Sequence, residues 1–145
     1  IDFLISFFLF IIVALFYNIP FNFLFLSMVF LSILISALAS TGLGLLVASI
    51  NIKYRDVRYI IPFFLQLMIF ITPVIYPLSI VRPSFQFVLS MNPMAGVINS
   101  LRSSLATNSI SDKNSLFISI LSSLIIFLIG MIYFRKTERY FADLI

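Results

Sequence analysis

The side chains able to carry chemistry in this 145-residue chain are few: nine Lys and Arg, five acids, and no His or Cys. Without Cys there is no disulfide, no thiolate metal site and no cysteine nucleophile. Without His the commonest zinc ligand and the commonest general base are missing. The acids are Asp2, Asp56, Asp112, Glu138 and Asp143, and none lies inside a long apolar stretch. A carboxylate placed there would mark a proton or sodium pathway, so ion-coupled transport is disfavoured. A membrane acyltransferase would want His or an acid as base, and is disfavoured too. Gly42-Leu43-Gly44 lacks the Lys-Ser/Thr that a nucleotide loop requires. No catalytic residue, metal site or cofactor is expected in the chain. It must borrow an energy source or need none.

The elements around these groups belong to a membrane protein. Hydrophobic residues make up 62% of the chain and charged ones only 10%, with a mean hydropathy of +1.20. A soluble domain carries about 25% charged residues, so a soluble enzyme is excluded and burial in lipid is expected. Charges are absent from residues 3–52, 59–81 and 114–134. About 20 apolar residues cross a bilayer core. The first stretch holds two spans separated by the turn Asn18-Ile19-Pro20-Phe21-Asn22, and the others hold one each. The expected fold is an all-α polytopic bundle with four spans, at about 3–17, 23–50, 60–80 and 116–134. An outer segment would cover 82–114 and a cytoplasmic tail 135–145. The chain starts at Ile1 with no basic n-region, so a signal peptide is a poor reading. The start of a larger protein's C-terminal portion fits better.

Orientation follows from Lys53, Arg55 and Arg58 after the second span and Arg135, Lys136 and Arg139 after the fourth. Both clusters should be cytoplasmic by the positive-inside rule. Arg82, Arg102 and Lys113 bend that rule on the outside. In the second span Ser32, Ser36, Ser40, Gly44 and Ala48 recur at i+4, a ridge suited to close helix packing within the bundle or at a dimer seam. The third span carries Pro62, Pro73 and Pro77, which bend or break helices and free carbonyls that need partners. Gln66, Pro73 and Tyr76 are expected on one face, toward the bundle or a pathway. A kinked structural helix is the alternative. Asn92-Pro93 reads as a helix start. Met94, Val97, Ile98, Leu101 and Leu105 follow at helical spacing, opposite Asn99, Arg102 and Ser103. That helix is too short to cross, and with the apolar piece 85–91 it suits a re-entrant pair capping the outer face. A structural plug is the plainer option.

These residues also carry a resemblance. Gly42-Leu43-Gly44-Leu45-Leu46 with Asn51-Ile52-Lys53-Tyr54-Arg55-Asp56-Val57-Arg58-Tyr59 resembles the cytoplasmic connection of type-2 ATP-binding-cassette export permeases. Ile71-Thr72-Pro73-Val74-Ile75-Tyr76-Pro77, Met91-Asn92-Pro93-Met94 and the tail from Phe134-Arg135 to Asp143 are similar to the same family. The branch they resemble most exports lipid-linked polysaccharide: O-antigen, capsule or teichoic acid chains. The resemblance implies six spans, of which these four would be the third to sixth. The preceding part would then hold an interfacial helix, two spans and the main coupling helix. It implies a permease homodimer in the bacterial inner membrane, with two separate ATPase subunits that use ATP and Mg. A lipid-linked glycan would be the cargo, and no nucleic acid a partner. Phe63, Gln66, Phe70 and Tyr76 become candidates for the sugar channel, since aromatic faces bind sugar loosely enough to let a chain slide. Lys53, Arg55, Asp56 and Arg58 become candidates for a secondary ATPase contact, or a solvated topogenic loop. Met94, Val97, Ile98 and Leu101 become the outer gate. An exporter of a drug or small lipid, and a non-transporting scaffold of a glycan-assembly complex, stay open beside this reading.

Overall fold

The described residues form six helices and no strand. In the computed structural model these are residues 2–19, 21–54, 56–77, 80–107, 109–110 and 112–142, with side chains described for all but 2, 3, 83, 87 and 139–142 of them. The helices are α1 (Asp2–Phe16), α2 (Phe23–Lys53), α3 (Val57–Ile71), α4 (Pro83–Ser90), α5 (Pro93–Thr107) and α6 (Lys113–Ala142). The turn after α1 has a local cause. Asn18 takes a left-handed conformation (φ 51°), the Ile19 N–H bonds the Ala14 carbonyl at 2.9 Å and the Asn18 N–H bonds that of Leu15 at 3.1 Å. That pair of bonds is the Schellman helix end, where Asn substitutes for Gly.

Two helices are long and apolar enough to cross a bilayer: Phe23–Lys53 with hydropathy 2.4 and Lys113–Glu138 with 2.6. Each helical end lies beyond the sequence boundary, because Lys, Arg and Glu are good helix formers. The charges at Lys53 and Arg135 mark a change of surroundings, not the end of the helix. The expected tail is thus helical to Ala142. Helix α3 has 15 residues, about 22 Å at 1.5 Å per residue, short of the roughly 30 Å of a bilayer core, and α1 is described over 15 residues from Asp2. The expected third span does not run to Ile80. It stops at Ile71, and Thr72 leaves the helix with extended backbone (φ −80°, ψ 128°) just before Pro73, as the residue before a proline prefers.

The core of the bundle is α2 against α6, which cross at two glycines. A Cβ on Gly42 would sit 2.6 Å from the Phe127 Cα, and one on Gly130 would fall on the Gly42 carbonyl. The packed face of α2 is Phe25, Ile35, Ala39, Gly42 and Ser49. This differs from the expected serine ridge. Ser40, Gly44 and Ala48 are exposed, and a Cβ on Gly44 would meet nothing within 4 Å. A strict i+4 row advances about 40° per step around a 3.6-residue helix, so that ridge winds away from α6. Its serines satisfy themselves instead. Ser27, Ser32, Ser36 and Ser40 donate to carbonyls three residues earlier, at 2.7, 2.7, 3.0 and 3.1 Å.

Both long helices run in the same direction. Gly42 and Gly130 meet mid-helix, while α5 sits beside Phe25, Val29 and Ile33 of α2 and beside Ser119 near the start of α6. The charged ends, Lys53 with Asp56 and Arg58 on one side and Arg135 with Lys136 on the other, therefore share the end of the bundle opposite α5.

Candidate functional site

The end of the bundle carrying α4 and α5 gathers most of the polar contacts between elements. Asn92 starts α5 as its composition suggests: its Oδ1 accepts the Met94 N–H at 3.0 Å, with Pro93 as first helical residue. The expected partner piece is helical as well, as α4, where the Gln86 Nε2 donates to the Val81 carbonyl at 2.7 Å.

The face by which α5 seats itself is not the one its apolar periodicity indicates. Ala95, Gly96, Val97, Ser100, Ser103 and Ser104 are buried. Of the four expected gate residues only Val97 is fully buried (3% exposed), while Met94, Ile98 and Leu101 are half-buried. The helix is turned by roughly 130° from expectation, and Ser103, placed on the polar face, lies inside. The cause is close approach. Between membrane helices small side chains let backbones touch, while large apolar ones gain little over lipid. The Gly96 N–H donates to the Ser119 Oγ at 2.9 Å, and that hydroxyl donates to the Asn92 carbonyl at 3.4 Å. Ser115, Ser119 and Ser123 form the matching buried row on α6. Displaced sideways, Ile98, Leu101 and Leu105 face Phe7 and Phe10 of α1 and Phe25, Val29 and Ile33 of α2 across an apolar cleft of about 280 Å³.

Arg102 is the residue that sequence reasoning missed. Expected only as an outside charge on the polar face of α5, it reaches the broken end of α3. There its Nη1 donates to the carbonyls of Pro73 at 3.4 Å and Tyr76 at 3.3 Å, and its Nη2 donates to that of Val74. Asn92 adds a bond from its Nδ2 to the Thr72 Oγ1 at 2.9 Å. The carbonyls freed after Ile71 thus find donors on α5. A buried carbonyl left without one costs about 1–3 kcal/mol. The signal was available in principle: a helix broken at two prolines in an apolar chain demands donors, and a guanidinium offers five.

The channel candidates divide. Phe63, Gln66 and Phe70 lie within about 60° on one face of α3, with Phe63 62% and Phe70 68% exposed. Pro73 and Tyr76 do not continue that face. Pro73 is buried, and the Tyr76 hydroxyl turns back to donate to the Phe70 carbonyl at 3.2 Å. At the opposite end, Lys53 closes α2, Asp56 precedes α3 and Arg58 lies in its first turn, all exposed. Lys53 sits over the Tyr54 ring at 5.5 Å and Arg58 over that of Tyr59 at 5.8 Å. Arg55 lies outside the described residues. No cluster of His, Cys, Asp or Glu able to hold a metal occurs among the described residues.

Curated proteins resemble most of the chain in sequence. An O-antigen export system permease protein RfbA of Klebsiella pneumoniae is 24% identical over 104 residues, covering 72% of this chain and 40% of its own length. The protein of the same name from Myxococcus xanthus is 26% identical over 113 residues, covering 77% of this chain and 44% of its own. The chain thus spans about two fifths of the length of these curated relatives. No solved structure matches it. Residues 1–106, from α1 almost to the end of α5, match the family model for the ABC-2 type transporter, and the chain belongs to that family of membrane transport components.

Proposed function

We propose that this chain is part of the channel-forming subunit of an exporter moving lipid-linked polysaccharide, of O-antigen, capsule or teichoic acid kind, across the bacterial cytoplasmic membrane. The observation that carries the reading is the likeness to permeases named for O-antigen export. Two copies of the permease would form the path, and two separate ATPase subunits would hold ATP and Mg. Phe63, Gln66 and Phe70 would meet the passing glycan, with Tyr76 closing the helix behind them. Deleting the gene in its source bacterium should trap the glycan at the inner leaflet, beyond the reach of a lectin applied to intact cells, and the full-length gene should restore it. Surface glycan at the parental level in the deletion strain would reject the substrate.

Orientation has its own test. With Lys53, Arg58, Arg135 and Lys136 at one end, the positive-inside rule puts that end and the C-terminus in the cytoplasm. In a full-length subunit freed of other cysteines, Asn22→Cys should react with an impermeant maleimide on intact cells and Lys53→Cys should not. Labelling of the latter from outside would invert the topology.

Coupling would use Lys53, Arg55, Asp56 and Arg58 as a charged elbow against the ATPase. Reversing Arg55 and Arg58 to Glu should leave ATP hydrolysis running while export stops, with the subunit still inserted. Normal export from that variant excludes the contact.

The seal is the remaining element. Ile98 faces the cleft that Arg102 also lines, and Ile98→Asp would place a carboxylate there one turn from that guanidinium, at about 2–3 kcal/mol where it stays in the apolar region and drawing Arg102 from α3 where it pairs. Leakage of small solutes or lost export is expected at normal abundance. If export and impermeability both persist, the cleft is not part of the seal.

A further inference from the structure

We infer that the outer end of the permease opens at the joint between α3 and α5, with Arg102 as its latch, while α5 moves as one body with α6. The inference rests on the export reading above and says where that machine yields. Two joints hold α5, and they differ in kind. Against α6 the backbones touch: a Cβ on Gly96 would sit 2.5 Å from the Ser115 carbonyl carbon and 2.6 Å from the Ser119 Oγ, and Ser100, Ser104, Ser115 and Ser119 are all at most 2% exposed. Contact of that kind is a packed interior, which resists sliding. Against α3 the joint is a single turn. Thr72 bonds Asn92, Pro73 is buried, and Arg102 grips the carbonyls of Pro73, Val74 and Tyr76.

That second joint is made to exchange. The Arg102 side chain is exposed and so is Val74, so water can replace the bonds to Val74 and Tyr76 as they break, which removes most of the penalty of those unpaired carbonyls. Among the described residues the helix behind the turn is held lightly. None of the 15 residues of α3 is buried, and α3 packs only lightly on α2. The Thr72–Tyr76 turn can therefore leave α5 as a unit, carrying the end of α3 with it. Arg102 is thus a positioning residue: it touches no cargo, and acts by setting how often the turn is seated.

The test uses full-length permease with its ATPase subunits in inverted and right-side-out vesicles, all other cysteines replaced. Thr72→Cys should label slowly with an impermeant maleimide at rest and faster during ATP turnover. Arg102→Ala, which removes all three bonds, should raise the resting rate at least roughly tenfold, the population shift that even one charge-assisted bond commands. Arg102→Lys, which keeps the charge without the fork, should fall between. A merely structural role would lower abundance and leave the nucleotide dependence of labelling in place. Should Arg102→Ala fail to insert, the pair Thr72→Cys with Asn92→Cys decides: bridging by Hg²⁺ should stop export, and a thiol should restore it. Labelling indifferent to nucleotide, or full export with the bridge closed, overturns the latch. Nucleotide-dependent labelling in vesicles that move no polysaccharide would leave the latch standing and reject the cargo.

Discussion

Gly130→Val should deplete the folded subunit from the membrane, while the same change at Gly44 should leave its level unaltered. At the α2–α6 crossing the obstacle is backbone. A side chain on residue 130 runs into the Gly42 carbonyl, and one on residue 42 would sit 2.6 Å from the Phe127 Cα. Neither atom can swing aside as a side-chain tip would, so the helices must separate along the whole contact. Overpacking of a well-fitted interior costs about 1–3 kcal/mol, occasionally more. Apolar area cannot compensate, because lipid solvates Val as well as a neighbouring helix does. Gly44 lies two residues along the same helix with nothing within 4 Å of its missing Cβ. Replacing it with Ala should even gain about 0.5–1 kcal/mol of helix propensity. The measurement is the melting of each variant in detergent, followed by the fluorescence of a fused reporter. Equal damage at both positions would mean that a further protein surface covers the open face of α2.

The helices were readable because three physical signals coincide: charge-free runs, prolines and turn residues. Asn92-Pro93 is the clearest case, since cap chemistry is local and owes nothing to the rest of the bundle. Rotation was not readable. In water the buried face of a helix is its apolar face, and periodicity reveals it. In an apolar surrounding that link is cut, so Ile98 and Leu101 turn sideways and Gly96, Ser100 and Ser104 take the contact. The useful signal there is small residues on both partners. It exists in the chain as Gly96, which meets Ser115 and Ser119, with Ser100 and Ser104 buried on α5 and Ser123 on α6. The serine ridge of α2 shows how such a signal misleads when taken from one helix alone. Ser32 to Ala48 shares residue types with a true seam, yet α6 meets Gly42, and the small residues that α2 buries are Ala39, Gly42 and Ser49.

The role of Arg102 was out of reach for another reason. Its partners lie 26 to 29 residues away in the chain, and no local pattern ties them. What the chain did disclose is the demand: Pro73 and Pro77 strip donors from an apolar segment, and something must replace them. Which group answers depends on the turn between α3 and α4, whose path is a tertiary fact. The same holds for Tyr76. Helical extrapolation put it beside Gln66, but the helix ends at Ile71 and the ring folds back onto the Phe70 carbonyl instead.

Gly96→Ala should disable the outer seal while leaving the core of the bundle standing, an outcome that separates it from Gly130→Val. The added methyl would meet the Ser115 carbonyl and lie 2.6 Å from the Ser119 Oγ. The hydroxyl could rotate away, but the backbone of α6 cannot. To accommodate the methyl, α5 must lift. The 2.9 Å bond from the Gly96 N–H to Ser119 is then lost, adding about 1 kcal/mol to an overpacking cost of roughly 1–3 kcal/mol. Lifting α5 also draws Arg102 from the carbonyls of Pro73, Val74 and Tyr76 and widens the cleft lined by Ile98, Leu101 and Leu105. Meanwhile α2 and α6 stay locked at Gly42 and Gly130, far along the bundle, so the subunit should still insert and resist protease. Permeability of whole cells to a small dye, compared with abundance on a blot, measures the difference. Ser119→Ala is the companion: it removes the hydrogen bond without adding bulk, and should produce no more than a slight leak. If Gly96→Ala is as mild as Ser119→Ala, the seat of α5 is soft, and the outer end could yield between α5 and α6 as readily as at α3.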